Sequence, residues 1–141
     1  MSRLVIVLIL VLFSGESIAS RCDDLPVLTT ERRDGTKVGL FIANDQFANA
    51  PDWSPDSGDP PLSFSEAHRL AMEWAKTTYS KYDEVSVREI SLTNRFCSST
   101  DKRWYYIFDF TLVFDGNVFL GSGNWTAVLM NGTVIGPRKI E

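Results

Sequence analysis

Few residues of this 141-residue chain could carry out catalysis. Cys22 and Cys97 are the only cysteines, and His68 is the only histidine. A thiol nucleophile needs a neighbouring base to take its proton, but His68 falls in a segment with helical periodicity and forms no cluster with a cysteine or carboxylate at readable spacing. No glycine-rich phosphate loop is present. The sequence therefore predicts that the protein is not an enzyme, and His68 is interpreted as a surface or boundary residue.

An acidic loop is the candidate for metal binding. Asp52, Ser54 and Asp56 supply oxygen side chains at the first, third and fifth positions of a calcium loop. However, Ser57 stands where the sharp turn needs glycine, and Ser63 stands where the bidentate glutamate belongs. We therefore favour a solvated acidic loop over a calcium site, and we expect no cofactor.

The beginning of the chain has the pattern of a secretory signal. Arg3 supplies a positive charge, residues 4–13 form an unbroken apolar run, and Ser17 and Ala19 are small residues that suit a signal peptidase. The run is too short for a membrane-spanning helix, which needs about 20 apolar residues. We expect residues 1–19 to be a cleaved signal peptide, which predicts a secreted or periplasmic protein with no membrane attachment after cleavage.

Export gives the two cysteines a structural meaning. A lipoprotein signal would place a cysteine directly after a small residue, whereas Cys22 follows Arg21, so no lipid anchor is expected. In an oxidising compartment, two exported cysteines form a disulfide by default. The sequence predicts a Cys22–Cys97 disulfide, with two free buried thiols as the alternative.

The most regular segment is a predicted strand from Trp104 to Phe114. On one face its alternate residues are all large and apolar: Trp104, Tyr106, Phe108, Phe110, Leu112 and Phe114. The other face is mixed: Tyr105, Ile107, Asp109, Thr111 and Val113. One apolar and one mixed face are typical of an antiparallel sheet that packs a helix on one side only. We therefore expect the mixed face to be partly exposed.

The elements around this strand follow from capping and turn signals. Ser63 and Glu66 have the spacing of a capping box, which starts a helix predicted to end near Tyr82. A phase slip near Arg88-Glu89 predicts a bulge in the next strand. Three further signals predict the turns and breaks of the sheet: Asp115-Gly116, Gly121-Ser122-Gly123 and Asn131-Gly132. In the predicted register, Phe96 lies opposite Trp104, Ile90 opposite Phe110 and Leu112 opposite Phe119.

The expected fold class is α+β. Residues 63–141 are predicted to form one long helix packed on a curled, antiparallel four-stranded meander. Residues 20–62 are expected to add an N-terminal hairpin or extended segment, with its turn at Arg33-Asp34-Gly35, followed by a polar loop at 44–61.

Three segments resemble a known type of domain. They are P-P-L-S-F-S-E-A-H-R-L-A at Pro60–Ala71, R-W-Y-Y-I-F-D-F at Arg103–Phe110 and A-V-L-M-N-G-T-V-I at Ala127–Ile135. They resemble small secreted bacterial domains with a cystatin-like or PepSY-like fold, over Pro60–Ile140. The Q-x-V-x-G hairpin of cystatin inhibitors is not matched, because the segment at Gln46 reads Q-F-A-N-A. PepSY-like domains are associated with restraint of exported proteases, so the resemblance implies a role through contact.

These patterns predict an exported, non-catalytic binding or accessory domain that acts by protein contact. The net charge of −4 speaks against nucleic acid as a partner, because nucleic-acid binders carry a basic face. The expected contact residues are Tyr105, Ile107, Asp109 and Val113 on the sheet, together with Trp53 in the polar loop. The partner is another protein or, as the alternative, a second copy in a structural dimer of the cell envelope. A small enzyme or a calcium-binding module is a weaker alternative.

Overall fold

The computed structural model describes residues 25–95 and 102–141. The strands are β1 (Leu28–Glu31), β2 (Lys37–Leu40), β3 (Glu84–Asn94), β4 (Trp104–Phe114), β5 (Asn117–Phe119), β6 (Trp125–Leu129), β7 (Val134–Ile135) and β8 (Arg138–Lys139). The helices are α1 (Asn44–Ala48) and α2 (Phe64–Thr78), and Pro55–Ser57 forms a 3-10 turn. The predicted signal peptide and the predicted Cys22–Cys97 disulfide lie outside the described residues.

The larger sheet is built around β4. Along one edge β4 pairs with β3, and along the other it pairs first with β6 and then with β5. β7 continues the sheet beyond β6, and all these pairs are antiparallel. The break at Gly121-Ser122-Gly123 therefore divides one strand position into two short strands, because both β5 and β6 pair with β4 on the same side.

Helix α2 covers one face of this sheet. Its fully buried residues are Ala67, Ala71 and Ala75, whose small side chains let the helix lie close to the strands. Opposite them, β4 contributes the large side chains of Tyr106, Phe108, Phe110 and Leu112 to the same core. The fully buried part of the helix–sheet interface thus places alanines of the helix against mainly aromatic residues of β4.

A second sheet covers the opposite face. β1, β2 and β8 form it, with β2 in the middle. Val38 and Leu40 of β2 pack with Tyr105, Ala127 and Leu129 in a second core. The chain reaches β8 through Gly136, where an added Cβ would lie 2.4 Å from the ring of Trp74. The C-terminal segment therefore leaves the larger sheet beside the helix and joins the smaller one.

The predicted α+β class, with one long helix on a four-stranded meander, is wrong. The described residues are mostly β-structure in two antiparallel sheets, of five and three strands, with α2 as the one helix of seven or more residues. The predicted N-terminal hairpin does form as β1 and β2, but it is not an appendage, because β8 pairs with β2. β8 has two residues, too few to show a period of two in the sequence.

The capping box forms only in half. The Ser63 hydroxyl accepts a hydrogen bond from the Glu66 N–H at 3.2 Å, as predicted. The Glu66 carboxylate does not reach back, because it forms an ion pair with Arg69 at 2.6 Å. The helix ends at Thr78 and not near Tyr82.

The predicted bulge is confirmed, and the predicted register is wrong by two residues. The register shifts between Val87 and Glu89, Ile90 lies opposite Phe108, and Asn94 lies opposite Trp104. A shift of two keeps every side chain on its predicted face, because side chains alternate with a period of two. The hairpin register that places Leu112 opposite Phe119 is confirmed.

We expect Tyr105→Ala to lower the free energy of unfolding by about 3–5 kcal/mol, because it would leave a cavity in the core between the sheets. Tyr105 is 2% exposed. The control Val118→Ala removes an exposed side chain and should change stability by less than about 0.5 kcal/mol. Urea denaturation of both variants measures the difference, and equal midpoints would mean that the second sheet does not cover Tyr105.

Two glycines provide a matched test of how closely the sheets approach. Gly35 and Gly123 both have positive φ, +79° and +82°, so alanine at either position costs about 1–2 kcal/mol of backbone strain. A Cβ at Gly35 meets nothing within 4 Å, whereas one at Gly123 lies 2.6 Å from a methyl group of Val38. We expect Gly123→Ala to cost about 1–3 kcal/mol more than Gly35→Ala in urea denaturation, because of overpacking. Equal costs would contradict this contact.

Candidate functional site

The predicted contact residues do not form a surface. Tyr105 and Ile107 are 2% and 8% exposed and belong to the core between the two sheets. Trp53 is also buried; its indole N–H donates to the Gly58 carbonyl oxygen at 3.2 Å, and its backbone N–H donates to the Lys102 carbonyl oxygen at 3.0 Å. The prediction that Tyr105 and Ile107 are partly exposed is wrong, because the second sheet covers their face.

The other residues singled out from the sequence contact neighbouring residues of the fold. Asp109 forms an ion pair with Arg88, the bulge residue of β3, at 2.5 Å, and Val113 is half-buried. The ring of His68 stacks on Phe64 at 6.5 Å between centroids and meets the edge of Phe108 at 6.3 Å. Within residues 25–95 and 102–141, no group of three or more His, Cys, Asp or Glu side chains is arranged to hold a metal ion.

A groove of about 450 Å³ opens where three segments meet. These are the β1–β2 turn, the end of α2 with the turn that follows it, and the connection from β5 to β6. We call this site the aromatic groove, and its lining residues are Arg32, Arg33, Asp34, Thr78, Tyr79, Lys81, Tyr82, Phe119, Leu120, Gly121, Ser122 and Asn124. Its volume lies in the range of pockets that bind compact ligands.

The glycine-rich break after β5 shapes one wall of the groove. Leaving the sheet between β5 and β6, the chain displays Leu120 at 74% exposure and Phe119 at 46%. The Phe119 ring lies over the backbone of Gly121, where a Cβ would be 2.0 Å from the ring. The Ser122 hydroxyl donates to the Glu31 carbonyl oxygen at 3.3 Å, which fixes this wall to β1.

Aromatic rings form the opposite wall. Tyr82 lies 6.2 Å from Tyr79 and 5.6 Å from Phe119 between ring centroids, so the three rings form a continuous series across the groove. The Lys81 ammonium lies 5.2 Å from the centroid of the Tyr82 ring, within the range of a cation–π contact. The groove therefore offers flat apolar surface with a cation beside it.

The lining is locally cationic on an acidic protein. It contains Arg32, Arg33 and Lys81 against one carboxylate, that of Asp34, whereas the whole chain has a net charge of −4. The Asp34 carboxylate accepts a hydrogen bond from the Thr36 N–H at 2.9 Å, and the bonds from Thr36 hold the pKa of Asp34 below its usual value. The Asp34 carboxylate is thus hydrogen-bonded within the β1–β2 turn itself.

No family model matches this chain, and neither the curated proteins nor the solved structures give a match. The resemblance to cystatin-like or PepSY-like domains therefore stays a prediction. In the part of the chain that the structure describes, no helix is both long and apolar enough to cross a membrane.

Sequence reasoning missed the aromatic groove, although each of its parts left a signal. Arg33-Asp34-Gly35 indicated a turn, Gly121-Ser122-Gly123 indicated a strand break, and the helix was expected to continue to Tyr82. The helix in fact ends at Thr78, which turns Tyr79 and Tyr82 toward the break. Only the tertiary fold brings these three segments together.

Two buried tyrosines predict a loss of stability at high pH. Burial raises the pKa of Tyr105 to about 12 and that of Tyr79 to about 12, the latter against the opposing charge of Arg32. An unfolded tyrosine ionises near pH 10. Between about pH 10 and 12 the unfolded state therefore binds fewer protons than the folded state, and the free energy of unfolding falls as pH rises.

We expect a fall of at most about 1.4 kcal/mol per pH unit from each tyrosine in this window. Urea denaturation at pH 9 and pH 11 measures it. Tyr79→Phe and Tyr105→Phe should each lose less stability over this interval than the unmodified chain, because phenylalanine does not titrate. An unchanged pH dependence in both variants would contradict the raised pKa values.

Proposed function

We propose that this chain is an exported binding domain that acts by protein contact, with the aromatic groove as its binding site. The supporting observation is the distribution of exposed apolar side chains. Seven large apolar side chains are exposed in the described residues, and four of them, Phe114, Val118, Phe119 and Leu120, lie within seven positions of each other. Single exposed apolar residues are common, but Phe114 and Phe119 both contact the Tyr82 ring, at 6.2 and 5.6 Å between centroids, and such a group beside a groove is typical of an interaction site.

The groups that line the groove favour binding over catalysis. Tyrosine and arginine side chains recur at the centres of protein interfaces, where they combine apolar area with a polar tip. Burial raises the pKa of Tyr79 to about 12, so its hydroxyl is protonated near neutral pH and is a poor general base there. The contact role predicted from the sequence is therefore retained, but it moves from the Tyr105 face to the groove.

Self-association through the Tyr105 face is not proposed. The three-stranded sheet covers that face, and both Tyr105 and Ile107 are buried within one copy of the chain. A second copy could reach them only if β1, β2 and β8 moved away together.

Site-specific photocrosslinking tests this proposal. A photoreactive residue replaces Leu120 in the full chain, and in a control chain it replaces Leu25, an exposed leucine outside the groove lining. We expect a discrete crosslinked protein from position 120 and none from position 25. With that protein purified, Leu120→Ser should weaken binding by about tenfold or more, and Leu25→Ser should leave it unchanged.

Two results would contradict the groove as the binding site. One is crosslinking to the same protein from both positions with equal yield. The other is an affinity that Leu120→Ser and Leu25→Ser change equally. Circular dichroism of both variants ensures that the comparison is made between folded proteins.

A further inference from the structure

We propose that the occupant of the aromatic groove is an acidic segment of a partner protein that carries a large apolar side chain. This inference rests on the proposed function and names the chemistry of the partner. In this arrangement, carboxylates of the segment meet Arg32, Arg33 and Lys81, while its apolar side chain packs on Tyr82, Phe119 and Leu120.

The first argument is charge. The chain has 14 Lys and Arg against 18 Asp and Glu, yet the groove lining holds three cations and one carboxylate. Among the described residues, the ion pairs involve Arg69 and Arg88 and none involves Arg33 or Lys81. A neutral apolar ligand would strip water from these cations without compensation, which is unfavourable. Carboxylates on the ligand offset that cost through charge-assisted hydrogen bonds.

The second argument is the position of the apolar surface relative to the charge. Lys81 lies over the Tyr82 ring, and Tyr82 lies against Phe119, so cation and apolar surface adjoin within one concave site. A ligand must therefore offer an apolar group and a negative charge within a few ångströms of each other. Neighbouring acidic and large apolar residues in a peptide have this spacing, because successive Cα atoms are about 3.8 Å apart.

The third argument is the backbone beside the groove. Within the described residues, β5 pairs only with β4, so its other edge has backbone groups that a further strand could pair with. All three residues of β5 are exposed. An extended peptide can add to such an edge and gain main-chain hydrogen bonds, which a lipid cannot supply in this pattern.

A peptide also fits the charges better than an anionic membrane surface. A membrane is extended, so it interacts with the whole face of the protein over a Debye length of about 8–10 Å, and the net charge of −4 opposes its approach. A peptide that enters the groove interacts mainly with the nearby cations. The apolar side chains that line the groove face a concave site of about 450 Å³, which suits a short segment.

Fluorescence anisotropy with three pools of labelled hexapeptides tests the inference on the full mature chain. Each pool has a central apolar pair varied among Phe, Leu, Tyr and Trp. The flanking residues are Asp and Glu in the acidic pool, Asn and Gln in the neutral pool, and Lys and Arg in the basic pool. We expect the acidic pool to bind about tenfold or more tightly than the neutral pool, and we expect the basic pool not to bind. The affinity of the acidic pool should fall as the salt concentration rises from about 0.05 M to about 1 M, because salt screens the charges.

Matched variants assign the effect to the groove. Arg33→Glu should weaken binding of the acidic pool by about tenfold, whereas Lys102→Glu, the same charge reversal outside the groove lining, should not. Leu120→Ser should weaken all binding, and Leu25→Ser should not. This pattern supports both the site and the acidic partner.

Other outcomes separate the two proposals. In one outcome the acidic and neutral pools bind equally, Leu120→Ser weakens this binding and Arg33→Glu does not change it. That result would overturn the acidic partner and retain the groove as a contact site. Failure of every acidic peptide to bind at millimolar concentration would also overturn the acidic partner, while the photocrosslinks at position 120 would still decide the proposed function. Sedimentation with phosphatidylglycerol vesicles and not with phosphatidylcholine vesicles, lost in Leu120→Ser, would replace the peptide with a membrane surface.

Discussion

The burial of β4 on both faces is the constraint on which the rest of the structure depends. One face of this strand presents Tyr106, Phe108 and Phe110 to α2, and the other presents Tyr105 and Ile107 to the smaller sheet. A strand of this kind needs a cover on each side, because each exposed aromatic residue would leave roughly 150–250 Å² of surface in water. The helix and the three-stranded sheet are those covers, and the groove opens at the edge where they come close together.

The sequence correctly predicted that the face of β4 that meets α2 is buried. It wrongly predicted that the face that meets the smaller sheet is partly exposed. Six large side chains with a period of two are a strong local signal for the first face. The second face includes Asp109 and Thr111, so its pattern is that of a half-exposed surface. Asp109 is tolerated there because Arg88 neutralises it, and that partner comes from the bulge residue of another strand. Such a long-range contact is not encoded in the local alternation.

Local sequence signals predicted turns, a helix cap and a bulge. They did not predict the pairing of distant strands or the groove, because both depend on tertiary contacts. The bulge beside Arg88 and the pairing of Leu112 with Phe119 follow from phase and turn chemistry within a hairpin. The pairing of β2 with β8 joins strands that are far apart in the sequence, and one of them has only two residues. The aromatic groove has the same origin, because its three walls come from three separate connections. A site of this kind has no motif in the sequence.

The short strand β8 also bears on how the molecule assembles. β2 has to pair with a strand near the other end of the described residues, so the smaller sheet closes only after a large loop of chain has been brought together. Contacts between distant positions form late in folding, because the entropy of closing the loop is paid before the contact is gained. The side chains that cover Tyr105 come from β2 and α1, namely Val38, Leu40 and Phe47, so β8 adds a paired edge to the smaller sheet and no buried side chain to its core. A pairing of two residues across so long a loop therefore adds more to the time that the chain needs to fold than to the cover of β4.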